Sequence, residues 1–88
     1  MVSFAVLASG GGTNFQALID GIKNGEINGA EITVLVSDKA DAFAIERAKN
    51  AGIPYHVVNK ENYAAREGLD LEILRILEEY RPDYVYLL

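Results

Sequence analysis

The chain has 88 residues, half of them hydrophobic, and a net charge of −5. This is one small domain or a piece of a larger one, with enough apolar residues for a core and too many for disorder. The acidic balance excludes a general nucleic-acid binder, which would show a basic patch. The absence of cysteine, with His56 as the single histidine, excludes disulfides, a thiol nucleophile, a zinc–cysteine site and a histidine-rich metal site.

The N-terminus has no basic region ahead of its apolar run, so no signal peptide is expected. No apolar run approaches the roughly 18 residues of a membrane span. The expectation is a soluble, cytoplasmic domain with no membrane or nucleic-acid partner.

Val2 to Ala8 is short and nearly all apolar, and it reads as a strand buried on both faces. Ser9-Gly10-Gly11-Gly12-Thr13-Asn14 follows as a glycine loop. Thr13-Asn14-Phe15-Gln16 then fits a capping box, with the Thr13 hydroxyl accepting from the N–H of Gln16. Phe15, Leu18, Ile19 and Ile22 recur at helical spacing. Asn24-Gly25 to Asn28-Gly29 ends that helix.

Glu31 to Ser37 is rich in β-branched residues and predicts a second buried strand. Asp38-Lys39-Ala40 reads as a turn, and Asp41 as the N-cap of a helix from Ala42 to Asn50. Its inner face would be Ala44, Ile45 and Ala48, with Gly52 at C′. Ile53 to Val58 predicts a third strand, with Pro54 at its start or on an edge.

Asn59 to Asn62 is a polar loop. Leu69, Ile73, Ile76, Leu77 and Tyr80 then mark a helix from about Tyr63 to Tyr80. Gly68 weakens its start by about 1 kcal/mol relative to alanine, so an irregular first turn is expected. Arg81 suits the C-terminal dipole, Pro82 forbids continuation, and Asp83 to Leu88 predicts a fourth strand within which the chain stops.

The pattern is β-α-β-α-β-α-β: an α/β, Rossmann-like three-layer sandwich with a parallel sheet. Right-handed crossovers give the strand order 3-2-1-4. The order reverses between strands 1 and 4, and the glycine loop sits at the lip of that switch point, where open α/β sheets bind ligands. A loop running into a helix N-terminus is suited to an anion.

Three chemistries compete there. A Walker phosphate loop needs a Gly-Lys-Ser/Thr ending and is excluded, because no lysine is present. A dinucleotide fingerprint finds Gly10 and Gly12 but has Phe15 at its third place, where bulk obstructs the close helix–strand approach; Asp38, however, stands where a ribose-binding acid would. The third is a single phosphate monoester held by the N–H groups of Gly12, Thr13 and Asn14. A tight turn with no ligand is the plain alternative, at odds with the backbone entropy that three glycines cost.

Ser9-Gly10-Gly11-Gly12-Thr13-Asn14-Phe15-Gln16 resembles the S-G-x-G-[ST]-N-[FL]-[QE] opening of the phosphoribosylglycinamide formyltransferase family. The segment from Ser37 to Ala48 resembles its S-[ND]-x-x-D-A-x-x-[LI]-E-R-A motif, and Ala51-Gly52-Ile53-Pro54, Arg66-Glu67 and Arg81-Pro82-Asp83 follow in matching order. Gly11 and Asp38 stand where asparagine is common in the family. The resemblance covers the whole chain. It implies transfer of a formyl group from 10-formyltetrahydrofolate, as cosubstrate, to the amine of glycinamide ribonucleotide in purine biosynthesis. It assigns that substrate's phosphate to Gly12, Thr13 and Asn14, and the folate to Arg66, whose guanidinium suits a carboxylate of the glutamate tail.

Family members are much longer, and their catalytic asparagine, histidine and distal aspartate lie beyond the position matching Leu88. Residues 1–88 are therefore expected to be the N-terminal, phosphate-binding half of a formyltransferase domain, catalytically inactive alone. The exposed fourth strand would meet the missing half or a second copy. His56 does not match the catalytic histidine and reads as structural. Asp38 and Asp41 read as caps of a turn and a helix, Glu46-Arg47 as an ion pair or helix-surface pair, and Glu67, Asp70, Glu72, Glu78 and Glu79 as a solvated helix face. The alternatives are a small dinucleotide-binding module or another folate formyl enzyme such as formyltetrahydrofolate hydrolase, which has no substrate phosphate to hold.

Overall fold

The computed structural model describes residues 1–8, 12–40, 42–59 and 66–88. Within them the order is β1 (Val2–Ala8), α1 (Thr13–Lys23), β2 (Ala30–Ser37), α2 (Phe43–Ala51), β3 (Tyr55–Val57), α3 (Arg66–Tyr80) and β4 (Tyr84–Leu87). All strand pairs are parallel and the sheet order is β3-β2-β1-β4, as the crossover rule requires. No helix among the described residues is long and apolar enough to cross a membrane.

Alternation along β1 sorts its side chains between two cores. Val6 and Ala8 join Phe15, Ile19, Leu35, Ala44, Ile45 and Ala48 on the side covered by α1 and α2. Ala5 joins Val34, Val36, Val58 and Ile76 on the side covered by α3. Plain alternation would place Ile32 with Val34 and Val36, yet Ile32 packs with the α1/α2 core. The cause is a bulge: Phe4 pairs with Ile32 but Ala5 pairs with Val34, leaving Thr33 as an extra residue. The Thr33 hydroxyl donates to the Phe4 carbonyl at 3.0 Å and holds the step.

The helix ends differ from expectation in small, physical ways. Gly52 is the C-cap of α2 at φ +71°, and its N–H bonds back to the Ala48 and Lys49 carbonyls. The cap of α2 at its other end is Ala42, with no side-chain cap; Asp41, expected there, lies outside the described residues. Gly68 is helical within α3; the expected start at Tyr63 lies outside the described residues. Arg81 takes a left-handed backbone, φ +48°, and its N–H bonds the Leu77 carbonyl at 2.8 Å. A role that glycine usually fills is thus taken by an arginine before proline, where right-handed helical backbone is disfavoured.

β4 is joined to β1 by a reciprocal clasp. The Ser3 N–H donates to Asp83 Oδ2 at 2.9 Å, and the Asp83 N–H donates to the Ser3 carbonyl at 3.0 Å. Beyond that, β4 is uncovered: Tyr84, Val85, Tyr86, Leu87 and Leu88 are all exposed. By register Tyr84 and Tyr86 lie on the α1/α2 side, opposite Phe4 and Val6, and Val85 and Leu87 on the α3 side.

Candidate anion site

β1 ends at Ala8 and α1 begins at Thr13. The helix cap is Gly12, not Thr13: Gly12 is left-handed, at φ +78°, and its carbonyl accepts from the Gln16 N–H at 2.8 Å. The predicted capping box is therefore not formed. Thr13 is already helical, there is no side-chain cap, and the first turn carries no acidic residue. The Gln16 side chain instead donates to Asp20 Oδ1 at 2.9 Å and accepts from Arg47 Nη1 at 3.1 Å. A first turn with N–H donors, no capping side chain and no carboxylate favours an anion. Thr13 and Asn14 are exposed there, beside Gly12, while Ser9, Gly10 and Gly11 lie outside the described residues.

Phe15 is wholly buried in the α1/α2 core, directly after these residues. It packs there with Val6 and Leu35 of the sheet and Ala44 of α2, and such bulk leaves little room for the close helix–strand approach of a pyrophosphate site. α2 closes on Gly12 from the same side. A β carbon added to Gly12 would meet Ala44 Cα and Cβ at 2.9 Å.

A second feature lies at the carboxyl ends of β1, β2 and β4. A cleft of about 320 Å³ is lined by Leu7, Val36, Asp38, Leu69, Ile73 and Leu87 among others. Its apolar walls come mainly from the α3-side core, so Gly12, Thr13 and Asn14 do not line it. Asp38 does not close the turn after β2. The buried Ser37 hydroxyl does so, accepting from the Lys39 N–H at 3.2 Å and donating to the Lys39 carbonyl at 3.0 Å. Asp38 Oδ1 is buried without a hydrogen-bond partner among the described residues. Arg66 is the first residue of α3, and its side chain lies outside the described residues.

His56 is tied elsewhere. Its Nε2 is 3.0 Å from the Tyr80 hydroxyl and the rings meet edge to face, joining β3 to the end of α3. Among the described residues Glu46 and Arg47 form no ion pair with each other. Glu46 approaches Lys49 at 3.9 Å, whereas Arg47 spans to α1 and stacks on Phe43, 4.8 Å from its ring centroid. On α3, the hydrogen bond from Arg75 holds the Glu72 carboxyl below its ordinary value. That pair is on the helix surface. Among the described residues no cluster of histidine and carboxylate side chains could hold a metal.

Residue types alone did not reveal the two side chains that shape this region, Ser37 and Arg47. Ser37 was readable as a hydroxyl two residues before the turn's N–H. Arg47 was readable only once Ala44, three residues earlier, was known to face Gly12.

The family model described as formyl transferase matches residues 2–88. The chain belongs to the formyl transferase family. Phosphoribosylglycinamide formyltransferase of Escherichia coli K12 is 41% identical over 86 residues, which is 98% of this chain and 40% of that protein. The trifunctional purine biosynthetic protein adenosine-3 of Homo sapiens is 41% identical over 83 residues, 94% of this chain and 8% of that protein. Glycinamide ribonucleotide transformylase 1 of Geobacillus kaustophilus superposes with a TM-score of 0.93 at 39% identity, covering 99% of this chain and 46% of that one. This formyl transferase chain thus spans less than half the length of these relatives.

Proposed function

We propose that residues 1–88 form the N-terminal, substrate-phosphate-binding half of a cytoplasmic phosphoribosylglycinamide formyltransferase. The observation that carries this is the uncapped, carboxylate-free first turn of α1 behind a left-handed Gly12, in a chain matched from end to end by the formyl transferase family. The N–H groups of Gly12, Thr13 and Asn14 hold the phosphate of glycinamide ribonucleotide. A phosphate monoester suits a single helix N-terminus, where partial positive charge and several donors converge. Arg66 pairs with a carboxylate of the folate cosubstrate, 10-formyltetrahydrofolate.

In the transfer, the substrate amine attacks the formyl carbon and a tetrahedral oxyanion forms. As the oxyanion collapses to the new amide carbonyl, the bond from that carbon to the folate nitrogen breaks, and the proton lost by the amine passes to that nitrogen. The oxyanion needs preorganised donors and the proton a relay. These come from the part of the enzyme that follows, and the 88 residues act as a grip without a catalyst. The same part, or a second copy of this chain, covers β4.

Titration of the 88-residue chain with ribose 5-phosphate, followed by amide resonances, tests the grip. Saturable shifts at Gly12, Thr13 and Asn14 are expected, without comparable response to NAD. No response at these amides, or a stronger one to NAD, overturns the reading. Formyl transfer by the chain alone is expected to be at background.

A further inference from the structure

The first turn of α1 does not fix its own aim. It has no side-chain cap, and its leading residue is a glycine. What holds it is α2. Ala44 and Arg47 are three residues apart and share a helix face. That face meets Gly12: beside the two Ala44 contacts, a β carbon on Gly12 would lie 3.3 Å from Arg47 Cδ. The stem of Arg47 therefore runs alongside the loop residue. Its guanidinium continues to α1, where Nη1 donates to Gln16 Oε1 at 3.1 Å. Gln16 is the residue whose N–H closes the first turn onto the Gly12 carbonyl at 2.8 Å.

Two more contacts limit the freedom of this link. The Phe43 ring lies 4.8 Å from Arg47 Cζ, and the Gln16 amide is held from its far side by Asp20 at 2.9 Å. A planar guanidinium can satisfy a carbonyl in its plane while stacking on a ring, which an ammonium cannot. Arg47 is also half-buried, so its charge is screened less than a fully exposed one.

We propose that Arg47 is a positioning residue of the phosphate grip. Acting through Gln16, it sets the direction of the Gly12, Thr13 and Asn14 amides and does not itself hold the anion. The inference rests on the reading of those amides as a phosphate site.

The test is the affinity of the folded 88-residue chain for inorganic phosphate, read from amide shifts of residues 12–14, with thermal midpoints recorded in parallel. Arg47→Met keeps the stem and removes the guanidinium. It is expected to weaken binding about tenfold, the scale of one lost hydrogen bond to a charged group. Gln16→Leu is expected to weaken it similarly, and the double variant no further than either single one. Arg47→Lys restores binding only in part. A purely structural role would move the thermal midpoint and leave phosphate affinity unchanged, and that result overturns the proposal. So do losses that multiply in the double variant, since Arg47 would then hold the ion directly. If Arg47→Met does not fold, Gln16→Leu decides: wild-type affinity there is equally fatal. A wild-type chain whose amides ignore phosphate removes both the site and the role of Arg47, whereas wild-type binding with unaffected variants removes only the latter.

Discussion

Gly12 answers to two constraints that act separately at Gly52 and Gly21. Its φ of +78° is strained for any side chain, and the space a side chain would need is occupied by Ala44 at 2.9 Å. One of the atoms met is backbone, so no rotamer change relieves the contact. Gly52 has nearly the same backbone angle, φ +71°, but no atom within 4 Å. Gly52→Ala is therefore expected to cost about 1 kcal/mol, and Gly12→Ala about 2 kcal/mol or more, because α2 must also shift. Urea denaturation of the two variants checks this; equal losses would mean that Ala44 gives way freely. The glycine at position 12 was legible in the sequence as part of a tight turn from strand to helix. Its packing duty was not, because the neighbour that imposes it lies 32 residues further on, in α2. For the same reason the Thr13–Gln16 box misled: local spacing matched, but Gln16 had a stronger partner, the charged Arg47, reached through tertiary packing.

Among the described strands, β4 is an edge paired with β1 alone. Asp83 anchors its start: Oδ2 accepts from the Ser3 N–H at 2.9 Å and from the Ser3 hydroxyl at 3.2 Å. Asp83→Ala is expected to cost about 1 kcal/mol, the net worth of an exposed hydrogen-bonded pair, and to loosen Tyr84 first. Faster amide exchange at Tyr84 with little change at Val34 is the expected signature, and uniform acceleration would count against it. The four strands, the three helices and the strand order were legible because each apolar run has one period and each crossover one hand. β2 was legible only as a strand. Ile32, Val34 and Val36 alternate faultlessly in sequence, and only the pairing with β1 exposes the extra residue at Thr33.

At the scale of the molecule, the sheet is covered unevenly. One side has two helices and the larger core, the other has α3, and the side chains of β4 are exposed on both sides. An open edge flanked by exposed Tyr84, Tyr86 and Leu87 favours added strands and apolar contact. Sedimentation of the 88-residue chain is expected to show association that rises with protein concentration and with salt, since screening relieves the repulsion between copies of net charge −5. A monomer at every concentration and ionic strength would show that the edge is protected. The pairing of β1 with β4 also bears on the order of events during synthesis. β1 lies between β2 and β4, so the earliest of these four strands to be synthesised is an inner one, and its clasp joins residues 80 positions apart. On the β4 side its hydrogen-bonding groups find their partners only when the last of these strands emerges. Closing so long a loop is slow. Until then β1 can form one half of its ladder, with β2, so this arrangement holds back its completion through most of the translation of these residues.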